Sequence, residues 1–281
     1  MSIKRTAYLI WVIFQATACI NLKEINHFSA EAIKGMQVYE SIEFGFETQC
    51  RERCIWEAMD QFEIRRELLC DCSTHHLADS ITLHLYNALH SYWDGLYQLS
   101  DNHLTRYDLS ATSEAVQAGT FGEISISAQQ VNAYQKIAEL LFRAGTEGFR
   151  RRKIDRYLRE ANDDIQVLSE KIAFILESNL AGLLELEKER WYTYYRELGF
   201  SDNLSDYEKG KAIIAYYDVL REIDLKLSQT QILAASFRKM AEGHQILADA
   251  DRKLSQKDLR DRARRYAAEL KALGIAYNQI K

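Results

Sequence analysis

Apolar residues recur along this chain at intervals of three and four, with charged residues between them. That period puts the apolar positions on one face of an α-helix. Ser29 to about Asp71 reads as helical, with Ile33, Met36, Phe44, Ile55, Met59, Phe62, Leu68 and Leu69 unevenly spaced and Gly45 or Cys50 as a point of breakage. Ser73 and Thr74 supply a turn and an N-cap. Leu77 to Leu99 follows as a helix through Ile81, Leu85, Ala88, Leu89, Tyr92 and Leu96. The clearest period runs from Ser127 to about Glu160, through Val131, Tyr134, Ala138 and Leu141, with Gly145 and Gly148 allowing a neighbour to approach closely.

Ala161-Asn162-Asp163-Asp164 reads as a reversal, with Asp163 or Asp164 capping the next helix. The expected inward face of that helix is Ile165, Leu168, Ile172, Leu176, Leu183, Leu186, Tyr194 and Leu198, and Gly199 ends it. Ser205 and Glu208 match a capping box. The helix behind it carries a seam of Ile213, Tyr217, Leu220, Leu227, Ala234, Phe237, Ala241 and Leu247, broken by Asp224 and Gln231. Ser255 and Asp258 open a last helix to about Asn278, with Leu259, Tyr266, Leu270 and Leu273 inward. Only Asp101–Ser127 breaks the pattern. Ser110 can cap a short helix over Ala111–Ala118, and Thr120–Ser127 alternates as an extended crossing segment. The expectation is an all-α fold: an elongated antiparallel bundle of about five or six long helices with one non-helical crossover.

Composition strengthens this. The 281 residues contain no proline, and proline is the residue that most disrupts helix interiors. The net charge is −5 and the pI about 5.9, which argues against nucleic acid as a partner. No phosphate loop, dinucleotide fingerprint, nucleophile elbow or H-E-x-x-H zinc motif occurs. His76, His84 and His90 lack the carboxylate-x-x-His companions of a di-iron bundle site. The expectation is a non-enzyme with no cofactor and no resident metal.

The five cysteines are Cys19, Cys50, Cys54, Cys70 and Cys72. The last four form an even set that suits two disulfides in an oxidising compartment, with three connectivities. On one straight helix Cys54 and Cys70 would lie about 24 Å apart, too far for a bond that needs Cα atoms within roughly 7 Å. Either the chain bends between the pairs, or they close locally, or thiols stay free. Zinc held by the same sulfurs, with His75 and His76 nearby, is the alternative.

The first nineteen residues carry a separate signal. Lys4 and Arg5 precede Thr6–Ala18, an uncharged apolar run of a length that suits a secretory signal and falls short of a bilayer span. Ala16-Thr17-Ala18 then puts small residues before Cys19. The same run is compatible with ordinary secretion, an uncleaved anchor or a buried core helix. Ala16-Thr17-Ala18-Cys19 resembles the lipobox of bacterial lipoproteins, with Ala16 where that family usually has leucine. The resemblance implies cleavage before Cys19, acyl chains on Cys19 and attachment to a membrane. Ile20, where an aspartate often marks inner-membrane retention, favours the outer membrane. The expected organisation is a signal peptide over 1–18, a lipidated cysteine and short tether over 19–28, and one helical domain over 29–281. Removing the first nineteen residues moves the net charge from −5 to −7. Ala241–Leu254 is similar to helical lipoproteins of Gram-negative bacteria that have no assigned activity.

Two surface features remain. Arg150-Arg151-Arg152-Lys153, with Arg156 and Arg159, is expected to be a solvated face against Glu170 and Glu177; a phosphate patch is the alternative. Trp191-Tyr192-Thr193-Tyr194-Tyr195 puts aromatics on both sides of a helix, and makes Trp191, Tyr192 and Tyr195 candidate binding residues. The expected role is an envelope protein, periplasmic or surface-exposed, tied to the bilayer through Cys19 and holding a protein partner. The alternatives are a membrane-active helical toxin or pore component, and a metal or small-molecule binder using the cysteines or the aromatics.

Overall fold

The helical period becomes helix along most of the chain. The computed structural model describes residues 22–42, 44–61, 70–100, 116–146, 154–249 and 256–280. Its elements are α1 (Leu22–Gln37), a 3₁₀ turn (Tyr39–Ser41), α2 (Phe46–Asp60), α3 (Ser73–Ser100), β1 (Gly119–Phe121), β2 (Ile124–Ile126), α4 (Ala128–Thr146), α5 (Ile154–Phe174), a π-helical turn (Ile175–Leu180), α6 (Ala181–Phe200), α7 (Asp206–Ala248) and α8 (Gln256–Ile280). The fold is all-α. Because the π-turn joins α5 and α6 into one rod, the described residues form seven rods rather than five or six.

The extra rods have identifiable causes. The stretch read as helical from Ser29 to about Asp71 breaks at the 3₁₀ turn and at Gly45, one of the two expected break points, and by Cys70 the chain has returned to within 6.2 Å of Cys54. The helix also starts earlier than expected. Leu22–Phe28, expected within a tether, forms the first turns of α1, with Ile25 and Phe28 fully buried. Glu24, on the same turns, forms a two-toothed ion pair with Arg264 of α8.

The expected reversal at Ala161–Asp164 does not occur; α5 runs straight through it. Asn and Asp favour turns when nothing satisfies their side chains, but here partners exist. Asn162 bonds Gln245 and His244, and Asp164 meets Lys136 of α4.

The core lies where α1, α3, α5 and α7 meet, around Phe28, Leu85, Leu89, Trp93 and Phe237. α1 approaches α7 so closely that Gly243 sits directly under the Phe28 ring. In the same layer a fully buried histidine, His244, accepts from the Tyr92 hydroxyl at Nε2 (2.6 Å) and reaches the Asn162 side-chain oxygen through Nδ1 (3.1 Å). Nδ1 faces an amide oxygen and so carries the ring proton, and because burial keeps the imidazole neutral, Nε2 is the acceptor. Burial pushes its pKa down to about 3.

The π-turn alters the face that follows it. Adding a residue to one turn advances the register. The buried positions beyond Leu176 are Leu180, Ala181, Leu184 and Glu187. Leu186, expected to be inward, is therefore exposed, and Leu183 is only half-buried.

The segment read as extended over Thr120–Ser127 is a small antiparallel hairpin with Phe121 paired to Ile124. Gly122 turns it with φ +53°, in the left-handed region. Ser127 and Gln130 then cap α4 reciprocally. The expected helix over Ala111–Ala118 lies mostly outside the described residues; residues 116–118 are not helical.

Candidate functional site

Cys50 and Cys54 sit one turn apart on α2. After the reversal, Cys70 and Cys72 lead into α3. The pairs are Cys50–Cys72 and Cys54–Cys70, with Cα separations of 5.9 and 6.2 Å. The bend between the pairs is thus the alternative realised. Three of these sulfurs lie within 4.8 Å of one another, but all three are in disulfides and offer no thiolate to a metal.

Further bonds tie the same corner. Asp71 accepts from the Ser73 N–H, the first of α3, and hydrogen bonds from the Ser73 hydroxyl and then its N–H hold the carboxyl below the usual range. Asp79 reaches from α3 to the start of α2, accepting from the N–H groups of Phe46 and Glu47 at 2.9 Å each. Burial nevertheless raises the Asp79 pKa, outweighing those two bonds. His76 meets Glu47, and His75 meets Glu123 of the hairpin turn at 3.1 Å. Asn179, on the π-turn, donates to the Glu123 carbonyl. Asp79 and the π-turn also border an open cleft of about 540 Å³, walled by Tyr39, Phe44 and Leu176.

The second feature is an arm. No residue from Lys188 to Glu222 is buried, and burial resumes at Ile223. This length covers the end of α6, the connection, and the first turns of α7, which the Ser205–Glu208 capping box starts as expected. At 1.5 Å per residue the α7 part is about 25 Å long. Ile213 and Tyr217, expected in a buried seam, are 52% and 54% exposed because no other helix among the described residues covers them.

Aromatic rings hold the two helices together. Trp56 of α2 meets Trp191 edge-on at 4.9 Å and Tyr194 at 5.4 Å. Trp191 stacks on Tyr195, and Tyr195 meets Tyr216 of α7. Tyr216 also contacts Tyr192 and Tyr217. Of the three candidates, Trp191 and Tyr195 lie inside this ladder and Tyr192 at its exposed edge. The sequence reading missed Trp56 and Tyr216. Trp56 is 135 positions from Trp191 in sequence and reaches it only because α2 is stapled in place.

At the root of the arm lies a pocket of about 200 Å³ walled by Trp56, Trp191 and Met59. Glu52 and buried Glu187 face it, bridged by the Gln49 side-chain amide at 3.1 and 3.0 Å. Burial, reinforced by Glu187, raises the Glu52 pKa; Lys226 stands 3.9 Å away and opposes this. Apolar walls with an acidic floor suit an alkyl chain ending in a cation, which would share the carboxylates with Arg190, also in the lining.

Cys19 and Arg150–Lys153 lie outside the described residues. Glu170 and Glu177, expected against that basic run, both bind Arg238 of α7. No helix among the described residues is long and apolar enough to cross a membrane. Comparison with protein-family models, with curated proteins and with solved structures finds no match to this chain.

Proposed function

We propose that this chain is a lipid-anchored protein of the bacterial cell envelope, held through acyl chains on Cys19, whose aromatic arm binds a protein partner. The role is scaffolding rather than catalysis. The observation that carries this reading is the uncovered arm on a bundle stapled by two disulfides. A two-helix extension with exposed Tyr and Ile along more than 30 consecutive unburied residues has no use for the core, and exposed apolar surface of this kind marks interaction sites.

Other observations support it. The disulfides suit an oxidising compartment, and the residues before Cys19 suit export. Glu24, close to the chain's start, meets Arg264, and α8 meets α7 through Lys239 and Glu269. The start of α1 therefore lies beside the last third of α7. The capping box that opens α7 lies about 50 Å back along that helix. An anchor before Leu22 would leave the arm pointing away from it.

The test has two parts. Labelled palmitate should enter the parent chain and not Cys19→Ser, and the variant should leave the membrane fraction. Photo-cross-linking from Tyr207 or Tyr217 in intact cells should give discrete adducts. A chain without label, or a Cys19→Ser variant that fractionates like the parent, rejects the anchor; absence of adducts rejects the arm as a binding surface.

A further inference from the structure

We infer that the arm's outward face is a self-association surface, so that a second copy of this chain packs against it antiparallel. This rests on reading the arm as an interaction surface and names its partner.

The face is a regular stripe on α7. Tyr207, Lys211, Ile214, Asp218 and Arg221 follow one another at steps of four and three, the spacing of a single helix-packing seam, and all are exposed. Ile213 and Tyr217 flank the stripe. The charges on it are arranged symmetrically about its midpoint with opposite sign. Measured outward from between Ile214 and Ala215, Lys211 on one side is matched by Asp218 on the other, and Glu208 by Arg221. A two-fold axis through that point sets Lys211 of each copy against Asp218 of the other and Glu208 against Arg221. The apolar residues Ile213, Ile214 and Tyr217 then meet in the middle. A parallel pairing would set Lys211 against Lys211 and Asp218 against Asp218, so the charges select the antiparallel one.

Within one chain these groups are only locally engaged. Arg221 pairs with Asp218 one turn away, both well exposed, and Lys211 lies 4.7 Å over the Tyr207 ring. Glu208 uses one carboxylate oxygen in the capping box with Ser205 and offers the other to Arg221 of the second copy, while Lys211, Asp218 and Arg221 can be re-paired without uncovering anything. The four charges cancel, whereas an anionic bilayer needs a surplus of Lys and Arg.

Size sets the strength. Tyr207 and Ile214 are 69% and 65% exposed. With Ile213 and Tyr217 they offer apolar surface on the order of 400 Å² per copy, against about 800 Å² per partner in a stable complex. The dimer is therefore weak and reversible, and fills as the chain is concentrated.

Sedimentation velocity of the full chain in non-ionic detergent, over a wide concentration range, tests this. The parent should show a reversible monomer–dimer equilibrium. Lys211→Asp and Asp218→Lys should each weaken it about tenfold, and the doubly exchanged chain K211D/D218K should regain the parental constant. Both residues lie on the surface, so circular dichroism should be unchanged. A parent that stays monomeric, single variants that dimerise like the parent, or a double variant that stays weak overturns the inference. If the chain is monomeric while Tyr207 cross-links to another protein, only self-association falls. If no adduct forms either, the reading of the arm falls with it.

Discussion

Among the groups that destabilise this protein in acid, His244 should contribute the most, because it is the one that is fully buried. The ring is fully buried, with Tyr92 on Nε2, Asn162 on Nδ1 and the Tyr92 and Trp93 rings 5.4 and 5.5 Å away. Among the described residues no carboxylate touches it to favour the imidazolium. Burial alone therefore lowers its pKa from 6.5 to about 3. An unfolded chain takes up this proton near pH 6.5, while the folded chain resists it down to about 3. The stabilisation is thus complete above pH 6.5 and lost as the pH falls towards 3. Each pH unit in that window removes about 1.4 kcal/mol, so the full loss is on the order of 5 kcal/mol and the loss by pH 5 about 2 kcal/mol. Asp79, Glu52 and Asp164 act in the opposite sense, since their raised folded pKa values favour the native state as the pH falls. A variant comparison cancels them. Urea unfolding of the parent and His244→Gln at pH 7.5 and 5 should show the variant less stable at pH 7.5 but losing about 2 kcal/mol less on acidification. Equal losses in the two proteins would refute the account.

Two further outcomes follow from the packing. Reduction should lower the thermal midpoint substantially, because the outer disulfide closes a loop of about twenty residues, worth about 3 kcal/mol, and the inner one, nested inside it, adds a smaller amount; the Cys54→Ser/Cys70→Ser double variant should lose part of this and stay sensitive to reductant, and an unchanged midpoint in the reduced parent would contradict the staple. Gly243→Ala should cost about 1–3 kcal/mol because its methyl would overlap the Phe28 ring, whereas Gly182→Ala, with nothing within 4 Å, should gain about 0.4–1 kcal/mol in chemical denaturation.

The helices were legible because their periodicity is local. The capping box at Ser205, the stop after Gly199 and the inward face of Ile81, Leu85 and Leu89 all follow from neighbours within a few residues. What failed depended on distant partners. Asn162 and Asp164 look like a turn until His244, Gln245 and Lys136 arrive to satisfy them. Leu186 looks inward until the π-turn shifts the register, and nothing in Ile175–Leu180 announces that shift. Ile213 and Tyr217 were placed in a seam because spacing shows which residues share a face, not whether another helix covers it. The candidate site followed the same rule: Trp191 and Tyr195 could be picked from their cluster, while Trp56 and Tyr216 required the fold.

The two features of the site depend on each other. Few α2 residues are buried: Phe46, Gln49, Cys50 and Ala58. Apolar burial is thus a weak reason for this helix to stay where it is, and polar and covalent ties do most of the positioning. Asp79 fixes its first turn, and two disulfides fix its middle. Yet α2 supplies Trp56, which wedges against Trp191 and Tyr194, and Gln49, which bonds Glu187 at the point where α6 leaves the core. The cross-links therefore sit where hydrophobic packing is thinnest, at the root of the arm. An oxidising environment ties that junction directly, beyond the stability that the cross-links lend the whole fold. A protein that needed only a stable bundle could carry such cross-links at any of its edges. One that needs to hold an aromatic arm at a fixed angle gains a rigid base.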